Sequence, residues 1–209
     1  HLLALSKKTN WPIIADPLSN IRYGTHHHPN IITTYDCFLR NKNNEGHNPN
    51  LIIQFGRPPT SKALNLWRKR QSDCTQILVD PTGTWNDPSH QANWLVVCEP
   101  TDFCKQLTSR IPQNNDSFVQ QWITTEQNTI ATLQNQDERI LWEGKIAQTI
   151  IETIPENSLL HVASGMPVRD IDGFGYQQNR NLYLCANRGV NGIDGMISTA
   201  CGQAKSWKK

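Results

Sequence analysis

The sequence predicts an α/β fold, a parallel sheet flanked by helices, with the first βα units of a second α/β domain. Three observations predict it. Short apolar runs alternate with stretches of helical period, the strand–loop–helix order of βαβ units. Turn formers close those runs, as at Asp16-Pro17, Gly56 and Asp80-Pro81. The chain has 209 residues, room for one to two domains, and its 37 % hydrophobic and 18 % charged content is that of a globular protein rich in Asn and Gln.

Taken in order, Leu2-Leu3-Ala4-Leu5 reads as helix and residues 11–15 as a buried strand ending at Asp16-Pro17. Residues 31–39 read as a helix with an apolar face, and residues 41–49 as a polar loop. Residues 51–55 form a second strand, and residues 61–70 a helix carrying Leu64, Leu66 and Trp67. Residues 76–79 and 94–97 are two more strands. Pro100 suits the first turn of a helix that runs through Leu107. The first strand of this unit is expected upstream of His1. Residues 111–116 read as a linker. Residues 117–153 then read as a helix pair interrupted near residues 135–137, with Trp122, Ile130, Leu133, Ile140, Leu141, Ile146, Ile150 and Ile151 in approximate helical period. A second α/β unit starts with a strand over residues 158–163 and a turn into a short helix over residues 164–170. Another strand, residues 181–186, runs into a Gly-rich loop. The implied division is residues 1–112, a connecting helical segment 113–155, and residues 156–209. Both ends read as cut from a longer protein.

Composition narrows the function. A formal charge of +2 gives no electrostatic footprint for nucleic acid or an anionic membrane. No apolar run approaches the ~18 residues that read as a membrane span. The six cysteines include no C-x-x-C pair, so buried free thiols in a reducing cytoplasm are the favoured reading over disulfides or a zinc site. His26-His27-His28 reads as an exposed loop, with metal binding as the alternative.

The stretch from Asn187 to Gly202 carries the most chemistry. Gly189, Gly192 and Gly195 stand three apart beside Asn187 and Asn191, residues that tolerate positive φ and sharp turns, and Ile193 sits among them. A helix-like segment follows. The loop is either a Gly-rich turn before a surface helix or a ligand-facing loop whose N–H groups take an anion. No P-loop or G-x-S-x-G motif occurs, and Gly173-Phe174-Gly175 is not a dinucleotide fingerprint. Arg169 and Arg188 stand at strand ends, where a guanidinium can hold a carboxylate or phosphate by paired hydrogen bonds. The alternatives are an ion pair of Arg169 with Asp170 or Asp172, and a solvated Arg188.

The string Ser164-Gly165-Met166-Pro167-Val168-Arg169-Asp170, followed by Asn187-Arg188-Gly189-Val190-Asn191-Gly192-Ile193-Asp194-Gly195, resembles a thiamine diphosphate enzyme family of menaquinone and phylloquinone biosynthesis, the 2-succinyl-5-enolpyruvyl-6-hydroxy-3-cyclohexene-1-carboxylate synthases. Residues 11–19, 55–62 and 79–88 agree, so the resemblance covers nearly the whole chain. It implies a central domain lacking its first strand, connecting helices and the start of a diphosphate-binding domain. It also implies a transferase that decarboxylates 2-oxoglutarate and adds the succinyl-semialdehyde carbanion to isochorismate, using thiamine diphosphate with Mg2+ or Mn2+.

The same resemblance implies residue roles. Ile193 is the wedge beneath the cofactor, with Ser164, Gly165 and Gly192 beside it; Arg169 and Arg188 hold substrate carboxylates; Lys62 faces the same cleft. It further implies a cytoplasmic homo-oligomer, a dimer or tetramer. Two positions depart from the pattern: Ser164-Gly165 stands where Asn-Ser is usual, and Ala63 follows Lys62 where Arg is common. The activating glutamate is expected upstream of His1 and the Gly-Asp-Gly metal motif beyond Lys209, so the stretch alone is expected to bind cofactor poorly and to be inactive. Alternatives are the central domain of another thiamine diphosphate decarboxylase or carboligase, and a non-catalytic α/β binding domain.

Overall fold

A computed structural model describes residues 1–41, 47–114, 117–136, 140–188 and 193–208. Its elements run α1 (Leu2–Thr9), β1 (Ile13–Ile14), β2 (Ile31–Ile32), α2 (Tyr35–Leu39), β3 (Leu51–Phe55), α3 (Lys62–Arg70), β4 (Thr75–Val79), β5 (Trp94–Val96) and α4 (Pro100–Arg110). There follow α5 (Phe118–Gln134), α6 (Glu143–Thr153), β6 (Leu159–Val162), α7 (Met166–Phe174), β7 (Tyr183–Ala186) and α8 (Met196–Ser206). Among the described residues every strand pairing is parallel. β1 pairs with β2, β4 lies between β3 and β5, and β6 pairs with β7. Helices cover these sheets, as the α/β reading predicts. The parallel pairing is divided over three small sheets.

Local sequence explains the element ends. Ser61 caps α3: its Oγ accepts from the Leu64 N–H at 2.9 Å and donates to Asp36 Oδ1 at 2.6 Å. Arg68, Lys69 and Arg70 occupy the last turn of α3, where positive charge meets the negative end of the helix dipole. Pro100 opens α4, as its missing N–H and fixed φ favour.

The segment 31–39 corrects the single-helix expectation. Ile31 and Ile32 are fully buried and form β2 against β1, and the helix begins only at Tyr35. β-Branched side chains pack well in a strand, and tertiary partners fix the break. Glu126 of α5 reaches in with its carboxylate. Oε1 accepts from the Thr33 N–H at 2.8 Å and the Thr33 hydroxyl at 2.6 Å. Oε2 accepts from the Thr34 N–H at 2.9 Å and the Thr34 hydroxyl at 2.7 Å. The carboxylate thus satisfies the N–H groups and hydroxyls at the junction of β2 and α2, while pairing with β1 holds Ile31 and Ile32 extended. A second correction concerns Ile140 and Leu141, which lie between α5 and α6 at 60 % and 80 % exposure, outside any helical stripe.

Among the described residues three apolar clusters organise the packing, the smallest being Ile13, Ala15 and Ile31. One gathers Ile32, Tyr35, Leu64 and Trp67 around Trp122 of α5, with Phe38 and Trp67 edge-on to the Trp122 ring. A second gathers Ile151 of α6, Val162 of β6, Val168 and Ile171 of α7, and Leu184 of β7, together with Tyr23 from the N-terminal block.

Arg22 joins the blocks beside this second core. Its Nη2 meets Asp172 Oδ1 at 2.5 Å and the Tyr35 hydroxyl at 3.2 Å. Its Nη1 donates to the Ile171 and Asp172 carbonyls, each at 3.0 Å, and to Gly175 O at 3.2 Å. Its Nε donates to Ala15 O at 2.6 Å. The guanidinium thus gathers carbonyls around the C-terminal end of α7, sharing Ile171 O with the Gly175 N–H, which donates to it at 2.9 Å.

Replacing Glu126 by Ala strands two N–H groups and two hydroxyls in the core. A loss of about 3–5 kcal/mol is expected in urea unfolding, and less for Glu126→Gln, which keeps acceptor capacity. An unchanged unfolding midpoint for Glu126→Ala would contradict the role given to this carboxylate.

Candidate cofactor and carboxylate site

The carboxyl ends of β6 and β7 deliver two adjacent loops, the place where open parallel sheets gather ligands. From β6 the chain turns through Ser164 and Gly165 into α7, which is locked to the strand end by the Val168 N–H on Ala163 O at 3.2 Å. From β7 it passes Asn187 and Arg188 towards α8. The loops are tied directly: Ser164 Oγ donates to Asn187 O at 2.7 Å. Asn187 Nδ2 reaches Thr199 Oγ1 at 3.3 Å, and the Thr199 hydroxyl donates to Gly195 O at 2.7 Å. Gly195 caps α8 in the left-handed region, φ 83°, where glycine is favoured. Ser164 therefore connects β6, β7 and the start of α8.

Arg169 is exposed, and its Nη1 folds back on the turn to the carbonyls of Ser164, at 3.3 Å, and Gly165. Asp172 pairs with Arg22, which removes the expected alternative of an Arg169–Asp172 ion pair. Arg188 is half-buried at the end of β7, its N–H bonded to Ala186 O at 2.8 Å. The tie from Ser164 to Asn187 thus brings together the two arginine-bearing loops. Lys62 is exposed at the start of α3. Gly192 lies outside the described residues.

Ile193 is 92 % exposed at the edge of this end, with Met166 and Ile197 also exposed on α7 and α8. Apolar side chains presented to solvent around a backbone turn suit contact with a partly apolar ligand. Gly165 keeps space open: an added Cβ would meet nothing nearer than Pro167 Cδ at 3.8 Å. Between α6, β6, α7 and α8 lies a mainly apolar cavity of about 710 Å³, walled by Ile146, Leu160, Pro167, Met196 and Ile197. Asp170 lines it, and its carboxyl is pushed above the usual range by burial and by the nearby Glu143 carboxylate, with Arg169 opposing. His161 also lines it, its Nδ1 held by Gln203 Oε1 at 2.7 Å.

Exposed apolar groups, an open glycine position and flanking guanidinium groups fit one side of a thiamine diphosphate site. Among the described residues no group of three or more His, Cys, Asp or Glu is arranged to hold a metal ion, and His26–His28 lie in a loop. The cysteines among the described residues are free. Cys74 and Cys104 are buried, whereas Cys201 is exposed, so burial is not general. Among the described residues, no helix is long and apolar enough to cross a membrane.

Sequence reasoning missed Arg22, and it offered Asp172 only as a partner of Arg169, because the true partners lie 150 residues apart.

Residues 1–162 match the family model described as the middle domain of thiamine pyrophosphate enzymes. The chain belongs to this thiamine pyrophosphate enzyme family. More particularly, it is similar to proteins named 2-succinyl-5-enolpyruvyl-6-hydroxy-3-cyclohexene-1-carboxylate synthase. It is 40 % identical to the one from Bacillus cytotoxicus over 94 % of this chain and 34 % of that protein. It is 35 % identical to the Bacillus pumilus protein over 100 % of this chain and 36 % of that protein. For Geobacillus thermodenitrificans the identity is 37 %, over 95 % of this chain and 34 % of the relative. The chain spans about a third of the length of these curated relatives. The resemblance read from the motifs therefore holds.

Ser164→Ala should cost about 1 kcal/mol by removing the tie to Asn187, whereas Gly165→Ser should stay within about 0.5 kcal/mol because its side chain enters open space. Thermal unfolding of the two variants checks this. Equal losses would contradict the geometry.

Proposed function

We propose that this chain belongs to a thiamine diphosphate-dependent transferase of menaquinone or phylloquinone biosynthesis. It decarboxylates 2-oxoglutarate and adds the resulting succinyl-semialdehyde unit to isochorismate. The observation that carries the proposal is the tie from Ser164 to Asn187, which sets the Arg169 and Arg188 loops side by side at the carboxyl ends of β6 and β7. The similarity to synthases of that name supports the choice of substrates.

In this reading residues 1–112 are a middle domain lacking its first strand, residues 113–155 connect, and residues 156–209 begin the diphosphate-binding domain. Thiamine diphosphate, when bound, supplies the electron sink for decarboxylation of a 2-oxo acid. The chain's own residues do the positioning. Ile193, Ser164, Gly165 and Gly192 would hold the cofactor, and Arg169 and Arg188 would hold and neutralise substrate carboxylates. Lys62 adds positive charge from the middle domain. The activating glutamate and the residues that hold Mg2+ or Mn2+ are assigned to the remainder of the full-length protein, so this stretch alone is inactive. The whole enzyme is a cytoplasmic homo-oligomer, a dimer or tetramer.

In the full-length protein, Arg188→Ala should lower kcat/KM for 2-oxoglutarate with isochorismate by about 10- to 100-fold, the value of a charge-assisted hydrogen bond. Ile193→Gly should abolish most carboligation. Steady-state kinetics with both substrates check this, and unchanged turnover and KM in Arg188→Ala would remove the carboxylate role.

A further inference from the structure

We infer that Arg22 is a positioning residue for the cleft, acting through α7. It rests on the reading above that Arg169 meets a substrate carboxylate. Arg22 lies on the loop after β1, in the N-terminal block, yet four of its hydrogen bonds end on the last turn of α7 and the residue after it: the Ile171, Asp172 and Gly175 carbonyls and the Asp172 carboxylate. Its neighbour Tyr23 adds a fifth tie, its hydroxyl donating to Gly175 O at 2.7 Å. The Tyr35 hydroxyl closes the network on Asp172 Oδ1 at 2.6 Å.

The opposite end of α7 is the turn that carries Ser164, Gly165 and Arg169. Nothing comparable holds that end among the described residues. Its ties are the Val168 N–H on Ala163 O, the bond from Ser164 to Asn187 and the local bonds of Arg169 Nη1 to the Ser164 and Gly165 carbonyls, and Gly165, Met166 and Arg169 are exposed. A rigid helix of nine residues transmits a shift at its C-terminal turn to its N-terminal turn. Fixing the buried end therefore fixes the exposed end, where a displacement of about 1 Å is enough to cost a large factor in rate. Simple packing would need only an apolar side chain here. A guanidinium that sets Nη1 and Nη2 on one helix end and Tyr35, with Nε on the Ala15 carbonyl just after β1, sets the direction of that helix, because planar donors lose energy when rotated.

The test uses the full-length enzyme, with Arg22→Lys, Tyr23→Phe and Arg169→Ala made singly, and each of the first two combined with Arg169→Ala. Lys cannot reproduce the fork, and Phe removes one bond without adding bulk. The expected result is a KM for one carboxylate substrate raised about tenfold in Arg22→Lys, and by a smaller factor in Tyr23→Phe, with far-UV circular dichroism retained. Combined with Arg169→Ala, the losses should be non-additive, since both act through the same contact. A general structural defect would instead multiply with Arg169→Ala. Should Arg22→Lys fail to fold, Tyr23→Phe decides. Wild-type KM values in folded variants, or losses that multiply with Arg169→Ala, overturn the inference. If Arg169→Ala alone leaves KM and kcat unchanged, the carboxylate reading fails, and the inference with it. If Arg169→Ala is costly and Tyr23→Phe and Arg22→Lys are silent, only the positioning role falls.

Discussion

The buried ion pair of Arg22 with Asp172 is the constraint on which the arrangement of the two blocks depends. Taking both charges out of water costs several kcal/mol per ion, and their attraction repays this only when the remaining donors find partners. On the arginine side they do: the guanidinium is bonded to Ala15, Tyr35 and three carbonyls around the end of α7, whereas Asp172 Oδ2 is buried without a hydrogen-bond partner. Burial pushes the Asp172 carboxyl up to about 6, against the opposing pull of Arg22. An apolar pair of the same volume could stabilise the protein as well, so the pair is better understood as a device for orientation. It sets α7 against the block that holds β1 and α2.

Glu126 has a similar role in the neighbouring core. Its carboxylate satisfies the backbone and hydroxyls of Thr33 and Thr34, and so ties α5 to the junction of β2 and α2. α2 in turn packs on α3 and on α7. α5, α2 and α7 are thus linked by two buried carboxylates. The exposed turn at Ser164 and Gly165 stands on this frame, where a rigid scaffold carries a small ligand-facing surface.

Much of the fold was legible in the sequence. The run over residues 51–55 and the helix opened by Ser61 appear as read, because apolar continuity, a cap and a basic last turn all agree there. Residues 31–39 were not, because parallel pairing with β1 holds Ile31 and Ile32 extended and Glu126, 93 residues from Thr33, satisfies the junction before the helix begins at Tyr35. Ile140 and Leu141 fit a helical period by chance of spacing and lie outside it. In the site, the arginine-bearing loops were legible through their motifs and the strands before them. Their mutual tie was not, since it joins a hydroxyl to a carbonyl with no sequence pattern. Nor was the partner of Asp172, because local spacing points to Arg169 and tertiary packing supplies Arg22.

The most direct measurement is a crystal structure of the full-length protein with thiamine diphosphate and an unreactive dicarboxylate analogue of 2-oxoglutarate. The account predicts Ile193 in van der Waals contact with the cofactor, and Arg169 or Arg188 within hydrogen-bond distance of a carboxylate, above an α7 still capped by Arg22. A cofactor bound away from the ends of β6 and β7, with both guanidinium groups turned to solvent, would contradict it.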